Sequence, residues 1–290
     1  MILNDLIFVS SGGTKLDTLD FIDLCSLNEV HNIELSSGTL IESEEIIKHV
    51  KQKKITLQPH NYFPPQKNRY IINLAKKSIC NDKEFISILD SQIKIAKKFK
   101  RQYLHFHAGY CLDLKAKDLG SEKLKSRILN RSECKDNLYE NSEYIVSILK
   151  KHDLSLLIEN NVLNQGVFSQ MKANPFLCCD PEEILDIFNN KIPETGLLLD
   201  LAHLKVSSHT LKFDFFSAVK SLAPITKAVH ISDNNGQRDS NEAFDEDSDV
   251  LKALNFFGNL NFITIEVYDD NIETLKNQIN LVKKIRTVNA

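Results

Sequence analysis

Short apolar runs alternate with longer amphipathic stretches along the whole chain. Eight runs read as strands, at residues 6–9, 32–35, 55–58, 103–107, 155–159, 196–200, 228–232 and 261–266. Runs of this length bounded by polar residues have the signature of buried strands. The stretches between them include residues 43–52, 85–99, 137–151, 182–188 and 272–285. In the second of these, Phe85, Ile88, Leu89, Ile93 and Ala96 recur at helical spacing with lysines opposite. Asp180-Pro181 makes a helix start, with the acid as N-cap and proline at the first helical position. Strict alternation of strand and helix predicts a parallel sheet. Eight repeats over 290 residues fit a closed (β/α)8 barrel, one α/β domain spanning residues 1–290, better than an open doubly wound sheet. No GxGxxG follows the first strand to favour the open alternative.

Four of the runs end in a charged or titratable residue. They are Glu159 in LSLLIE, Asp200 in GLLLD, His230 in KAVH and Glu266 in FITIE, spaced by about one strand-plus-helix unit each. A charge at the end of a buried strand needs a partner, since burying it alone is costly. In a parallel barrel all four occupy the same rim, where active sites of this architecture lie. Three carboxylates and one imidazole make a mostly oxygen donor set. Such a set suits Mn, Co, Mg or Zn ions, with the imidazole tilting the choice toward the transition metals.

Side chains alternate along a strand, so His105 and His107 share a face while Leu104 and Phe106 face the helix layer. Glu159 shares its face with Leu157, and Glu266 with Thr264 and Phe262. His60 and His107 end the third and fourth strands and stand on the same rim, open to a second metal ion or to substrate. His105 lies one layer deeper and reads as core. His203 follows Asp200 by three residues, a candidate for substrate or second-ion binding. Arg238 and Asp239 sit on the loop after His230, where an arginine can clamp an anion. Glu34 ends the second strand, placed to hydrogen-bond a hydroxyl, neutralise a cation or form a structural ion pair. Long polar connections are expected at residues 61–82, 108–136, 160–180 and 233–247, and loops of that length are usually functional.

The composition adds few constraints. Hydrophobic residues make up 42% and charged residues 26%, ordinary for a soluble globular protein. A net charge of −3 gives no general attraction to nucleic acid or anionic membranes. No run approaches the roughly 20 apolar residues of a membrane span. The N-terminal MILNDLIFVSSGG lacks a basic flank and reads as a strand, which makes the cytoplasm the expected location. The six cysteines show no CxxC pair and are expected as free thiols, Cys178-Cys179 included. No GxSxG is present, so serine-triad chemistry lacks support.

The segments Ile158-Glu159-Asn160, Leu199-Asp200-Leu201-Ala202-His203, His230-Ile231-Ser232-Asp233-Asn234 and Ile265-Glu266-Val267, in this order, resemble the xylose-isomerase-like TIM barrel superfamily. That group holds sugar isomerases, sugar epimerases and endonuclease IV. The resemblance implies one divalent metal ion on Glu159, Asp200, His230 and Glu266, with the two glutamates also relaying protons. His203 and Arg238 match positions that hold substrate in ketose 3-epimerases. The implied reaction removes a proton beside a ketose carbonyl, passes through an enediolate, and returns a proton from the opposite face. The implied partner is a small sugar or sugar phosphate, and barrels of this type often pair as homodimers.

The endonuclease IV branch is the alternative. The segments PHNYF around His60 and HFHAGY around His107 resemble those that carry its first-metal histidines. That branch hydrolyses phosphodiesters with three zinc ions, the third held in part by an Asp-x-His. Here the matching stretch is Asp239-Ser240-Asn241, and asparagine is a poor zinc ligand. The acidic run at residues 242–249 also makes nucleic acid an unexpected partner, because phosphate contacts need clustered cations. An isomerase or epimerase is therefore the leading expectation and a multinuclear hydrolase the second. The metal count expected is one ion, or two with His60 and His107.

Overall fold

A computed structural model describes residues 7–36, 43–61, 63–64, 70–114 and 126–288. Its elements in chain order are β1 (Ile7–Ser10), α1 (Thr18–Leu27), β2 (Asn32–Leu35), α2 (Ser43–His49), β3 (Thr56–Pro59), α3 (Lys83–Lys98), β4 (Tyr103–His107), α4 (Arg131–Lys150), β5 (Ser155–Glu159), α5 (Gln165–Met171), α6 (Pro181–Asn190), β6 (Gly196–Asp200), α7 (Leu201–Leu211), α8 (Phe215–Leu222), β7 (Thr226–Ile231), α9 (Asp249–Ala253), β8 (Ile263–Ile265) and α10 (Ile272–Val288). Every ladder is parallel, in the order β3-β2-β1-β8-β7-β6-β5-β4. This is the expected single-domain (β/α)8 TIM barrel, nearly closed. Among the described residues no ladder joins β3 to β4; Asn61 N donates to His105 O at 3.4 Å across that joint.

Short polar side chains start the helices. Asp17, Asp82, Asn130, Asn164, Asp180, Asp200 and Asp214 each accept a backbone N–H from the first turn of the helix that follows. Pro181 takes the first position of α6, as expected. Asp200 thus does two jobs: it ends β6 and caps α7.

The two faces of the sheet pack as the alternation requires. Leu104, Phe106, Ile158, Leu197, Leu199, Val229 and Ile263 point outward into the large core shared with the helices. Phe8, Leu157, Leu198, Ala228 and Phe262 point inward and plug the lower barrel. The Phe8 and Phe262 rings meet edge-on at 6.0 Å, and the Arg101 guanidinium lies 4.8 Å above Phe8.

Several expected boundaries shift. The connection expected at 108–136 is helical from Arg131, so the helix expected at 137–151 begins earlier, with Asn130 as its cap. The stretch 160–180 holds α5, which buries none of its side chains, so hydrophobic spacing does not announce it. Strand β7 begins at Thr226, and β8 stops at Ile265, so Glu266 stands just past its strand. Residue 6 and parts of the 61–82 and 108–136 connections lie outside the described residues. Gly109 follows β4 at φ +90, where an added Cβ would lie 2.5 Å from Asn73 Oδ1 and 2.6 Å from Ala75 N. All six cysteines are free and buried. No helix of the described residues is long and apolar enough to cross a membrane.

Candidate metal centre

Two residues above the apolar plug, the same inward faces carry titratable groups. The parallel register sets His107 beside Glu159 and Asp200 beside His230. Glu266 follows directly, anchored by its N–H on Ile231 O at 3.0 Å. Asn160 locks the joint between β5 and β6: its Oδ1 accepts Asp200 N at 2.7 Å and its Nδ2 donates to Asp200 O at 3.1 Å. Asp200 Oδ1 accepts His203 N at 2.8 Å, and His203 Nδ1 lies 2.9 Å from Asn160 O. The IEN and LDLAH segments are thus one interlocked unit.

Ligand atoms of Glu159, Asp200, His230 and Glu266 lie within 4.8 Å of one another, and so do those of His60, His107 and Glu159. Glu159 belongs to both sets. Its Oε2 is 2.9 Å from His60 Nε2 and 3.6 Å from His107 Nδ1. Its Oε1 is 3.5 Å from His230 Nδ1 and 3.8 Å from His203 Nδ1. Four histidines therefore surround one fully buried carboxylate. His230 Nδ1 is also 3.6 Å from Glu266 Oε1. His203 Nε2 reaches Asp239 Oδ2 at 3.2 Å and Asp200 Oδ2 at 3.7 Å.

A second polar tier lies beneath. Glu34 Oε2 accepts Gln58 Nε2 at 2.8 Å and Thr264 Oγ1 at 2.7 Å. Its Oε1 is 3.1 Å from His230 Nε2. His105, wholly buried as expected, stacks on His60 at 4.7 Å and approaches Glu34 Oε2 at 3.6 Å. Ligand atoms of Glu34, His60 and His105 form a third close group.

Burial and mutual charge set the protonation states. Desolvation alone raises the Glu159 pKa, yet His107, His230 and His60 outweigh it and hold the carboxyl well below its ordinary range. Desolvation pushes Asp200 up to about 7, with His203 opposing and Asp239 and Glu266 adding to the rise. Desolvation lowers His203 and His230, but the carboxylates around each win and raise both well above the usual histidine value. Burial leaves His105 lowered to about 3 and His107 to about 4.

The donor atoms fit a divalent ion. Glu159 Oε1, His107 Nδ1 and His230 Nδ1 are buried with no aligned hydrogen-bond partner. Each such atom costs about 1–3 kcal/mol when left unsatisfied, a cost that coordination removes. Clustered imidazole and carboxylate donors suit Zn, Mn or Co. Burial pushes the Cys178 and Cys179 thiols up, and neither joins a close group of donor atoms among the described residues.

The remaining candidates separate. Arg238 is exposed on its loop, whose base is closed by the Asp233–Glu242 bridge. Asp239 turns in toward His203. Asn241 takes the Ser232 hydroxyl on its Oδ1 at 3.1 Å, so its amide oxygen is committed to the residue that follows β7. Glu34 is fully buried below the ring, away from the rim. Gln58 is not among the residues the sequence reading names, and Thr264 and Asn160 enter it only as a face-mate of Glu266 and as part of the Ile158-Glu159-Asn160 segment. For the first two the signal was available: each faces inward on its strand, next to Glu34 in register or across the barrel.

A family model described as xylose isomerase-like TIM barrel matches residues 19–286. No curated protein matches the chain in sequence. Solved structures resemble it in fold. A D-tagatose 3-epimerase-like protein is 18% identical with a TM-score of 0.67, covering 98% of each chain. An AP endonuclease of family 2 from Brucella melitensis is 16% identical with a TM-score of 0.64, covering 92% of this chain and 94% of its own. A Thermus thermophilus protein, soaked with ZnCl2, is 15% identical with a TM-score of 0.63, covering 96% of this chain and 98% of its own.

Proposed function

We propose, on the premise that the chain belongs to the xylose isomerase-like TIM barrel family, that it is a divalent-metal-dependent isomerase of a small sugar or sugar phosphate, with Glu266 moving the proton. The observation that carries this reading is the contrast between the two glutamates. Glu159 is fully buried among four histidines that face both of its oxygens, which suits it to shared ligation and leaves neither oxygen turned to a substrate carbon. Glu266 belongs to one donor set only and stands just past the end of β8, 7% exposed, with its Oε1 3.6 Å from His230 Nδ1. One base that takes a proton from a carbon and returns it to the next carbon on the same face performs aldose–ketose isomerisation. Inversion at one carbon needs a second group on the opposite face, the role Glu159 was expected to fill. This favours isomerisation over epimerisation.

A bound divalent ion supplies Lewis-acid polarisation of the substrate carbonyl and its neighbouring hydroxyl. Glu159, Asp200, His230 and Glu266 would hold it, and His60, His107 and Glu159 are placed for a second. His203, its ring nitrogens held by Asn160 O and Asp239 Oδ2, would line the substrate's side of the rim beside the first donor set. The zinc-soaked relative of the same fold supports zinc among the candidate ions.

The second donor set also favours a second reading, hydrolysis of a phosphate ester between two ions. The test is deuterium uptake from D2O into a panel of aldoses, ketoses and their phosphates, with ions per chain counted in parallel. Wild-type protein is expected to exchange and the Glu266→Gln variant to lose exchange while keeping its ions. Phosphate-ester cleavage with no exchange by any sugar would replace isomerisation with hydrolysis.

A further inference from the structure

Glu34 lies outside the reacting rim, yet a fully buried carboxylate must be compensated. Its two oxygens are used differently. Oε2 is filled by Gln58 Nε2 at 2.8 Å and Thr264 Oγ1 at 2.7 Å, which fix the carboxylate from β3 and β8. Oε1 has no aligned hydrogen bond, but His230 Nε2 lies 3.1 Å away and His60 Nδ1 3.9 Å away. On the far side of the His230 ring, Nδ1 faces Glu159 Oε1 at 3.5 Å and Glu266 Oε1 at 3.6 Å. The imidazole thus stands between one lower carboxylate and two upper ones. A histidine that ligates through one nitrogen carries its proton on the other, and a carboxylate behind that proton fixes both ring angle and tautomer.

We propose that Glu34 is a positioning residue for the centre. Its Oε1 takes the Nε2–H of His230, so that Nδ1 is the nitrogen presented to the ion. His60 repeats the arrangement more loosely, with Nδ1 toward Glu34 and Ser36 and Nε2 toward Glu159 at 2.9 Å. One buried carboxylate therefore orients a histidine from each donor set, just as Glu159 joins the two sets from above. The inference rests on the proposed role of His230 as a metal ligand and adds what sets its geometry.

The experiment is titration with Zn2+ against a competing chelator, for wild-type, Glu34→Gln, His230→Ala and the double variant. Glu34→Gln is expected to weaken Zn2+ binding about 10–100-fold. In the His230→Ala background the same change is expected to cost clearly less, because only the looser contact with His60 remains for Glu34 to act through. Wild-type affinity in Glu34→Gln, or an equal loss in both backgrounds, would overturn the proposal and leave the metal assignment standing. No Zn2+ binding by wild-type protein would instead remove the metal assignment, and this proposal with it. If Glu34→Gln does not fold, 15N-histidine NMR of the wild type decides. The proposal expects a proton on His230 Nε2 and a Zn2+-induced shift at Nδ1; the reverse pattern overturns it.

Discussion

The interior of this barrel holds two layers built on the same strands and the same faces. Leu157 lies below Glu159, Leu198 below Asp200, Ala228 below His230, and Phe262 below Thr264 and Glu266. One step of the strand repeat takes the lining from sealed hydrocarbon to carboxylates and imidazoles. In the lower layer every side chain packs. In the upper layer buried oxygens and nitrogens go without aligned partners. The lower layer stabilises the chain; the upper layer costs stability and holds the reactive groups. Fold and chemistry are divided by depth along each strand, not between separate regions of sequence.

The sharpest way to break this comparison is to open the lower layer. Phe262→Ala is expected to destabilise the protein by about 3–5 kcal/mol in urea unfolding, since it leaves a cavity under a closed ring. A loss smaller than about 1 kcal/mol would show that the lower layer is not the foundation described. The next largest effect belongs to the ions. Zn2+ at a hundredfold excess over its dissociation constant is expected to add about 2.7 kcal/mol per site, and a chelator to remove it. Glu159→Ala is expected to abolish that gain in thermal unfolding, because each donor set loses the oxygen it takes from that carboxylate.

A smaller effect comes from acid. His105 has its pKa lowered to about 3 in the folded chain from an ordinary value of 6.5. The unfolded chain then takes up the proton first as pH falls, so the stability His105 contributes is complete above 6.5 and is lost toward 3. His107, lowered to about 4, adds to the loss in the same direction. Urea melts of ion-free protein across this range should show a flatter pH dependence for His105→Gln than for wild type. The smallest effect is Arg238→Ala, exposed on its loop: unfolding free energy within about 0.5 kcal/mol of wild type.

Most of this organisation was legible in the sequence, because parallel strands buried on both faces read as continuous apolar runs and a charge at the end of one stands out. That reasoning located Glu159, Asp200, His230 and Glu266, and alternation separated His105 from the rim. It could not assign depth. A barrel staggers its strands, so Glu34, at the end of β2, comes to lie beneath His230 on β7, although each ends an apolar run. The sequence also could not show that Glu159 collects four histidines, since those contacts join β3, β4, β7 and the start of α7. Helix α5 escaped because it buries none of its side chains.

The joint between β3 and β4 has a mechanical consequence. A hoop with one weak stave is held by whatever rivets the gap, and here His60 and His107 stand one on each side of it. An ion gripped by both would draw the hoop tight, so loading should slow amide hydrogen exchange most in the two staves beside the gap and least in those opposite.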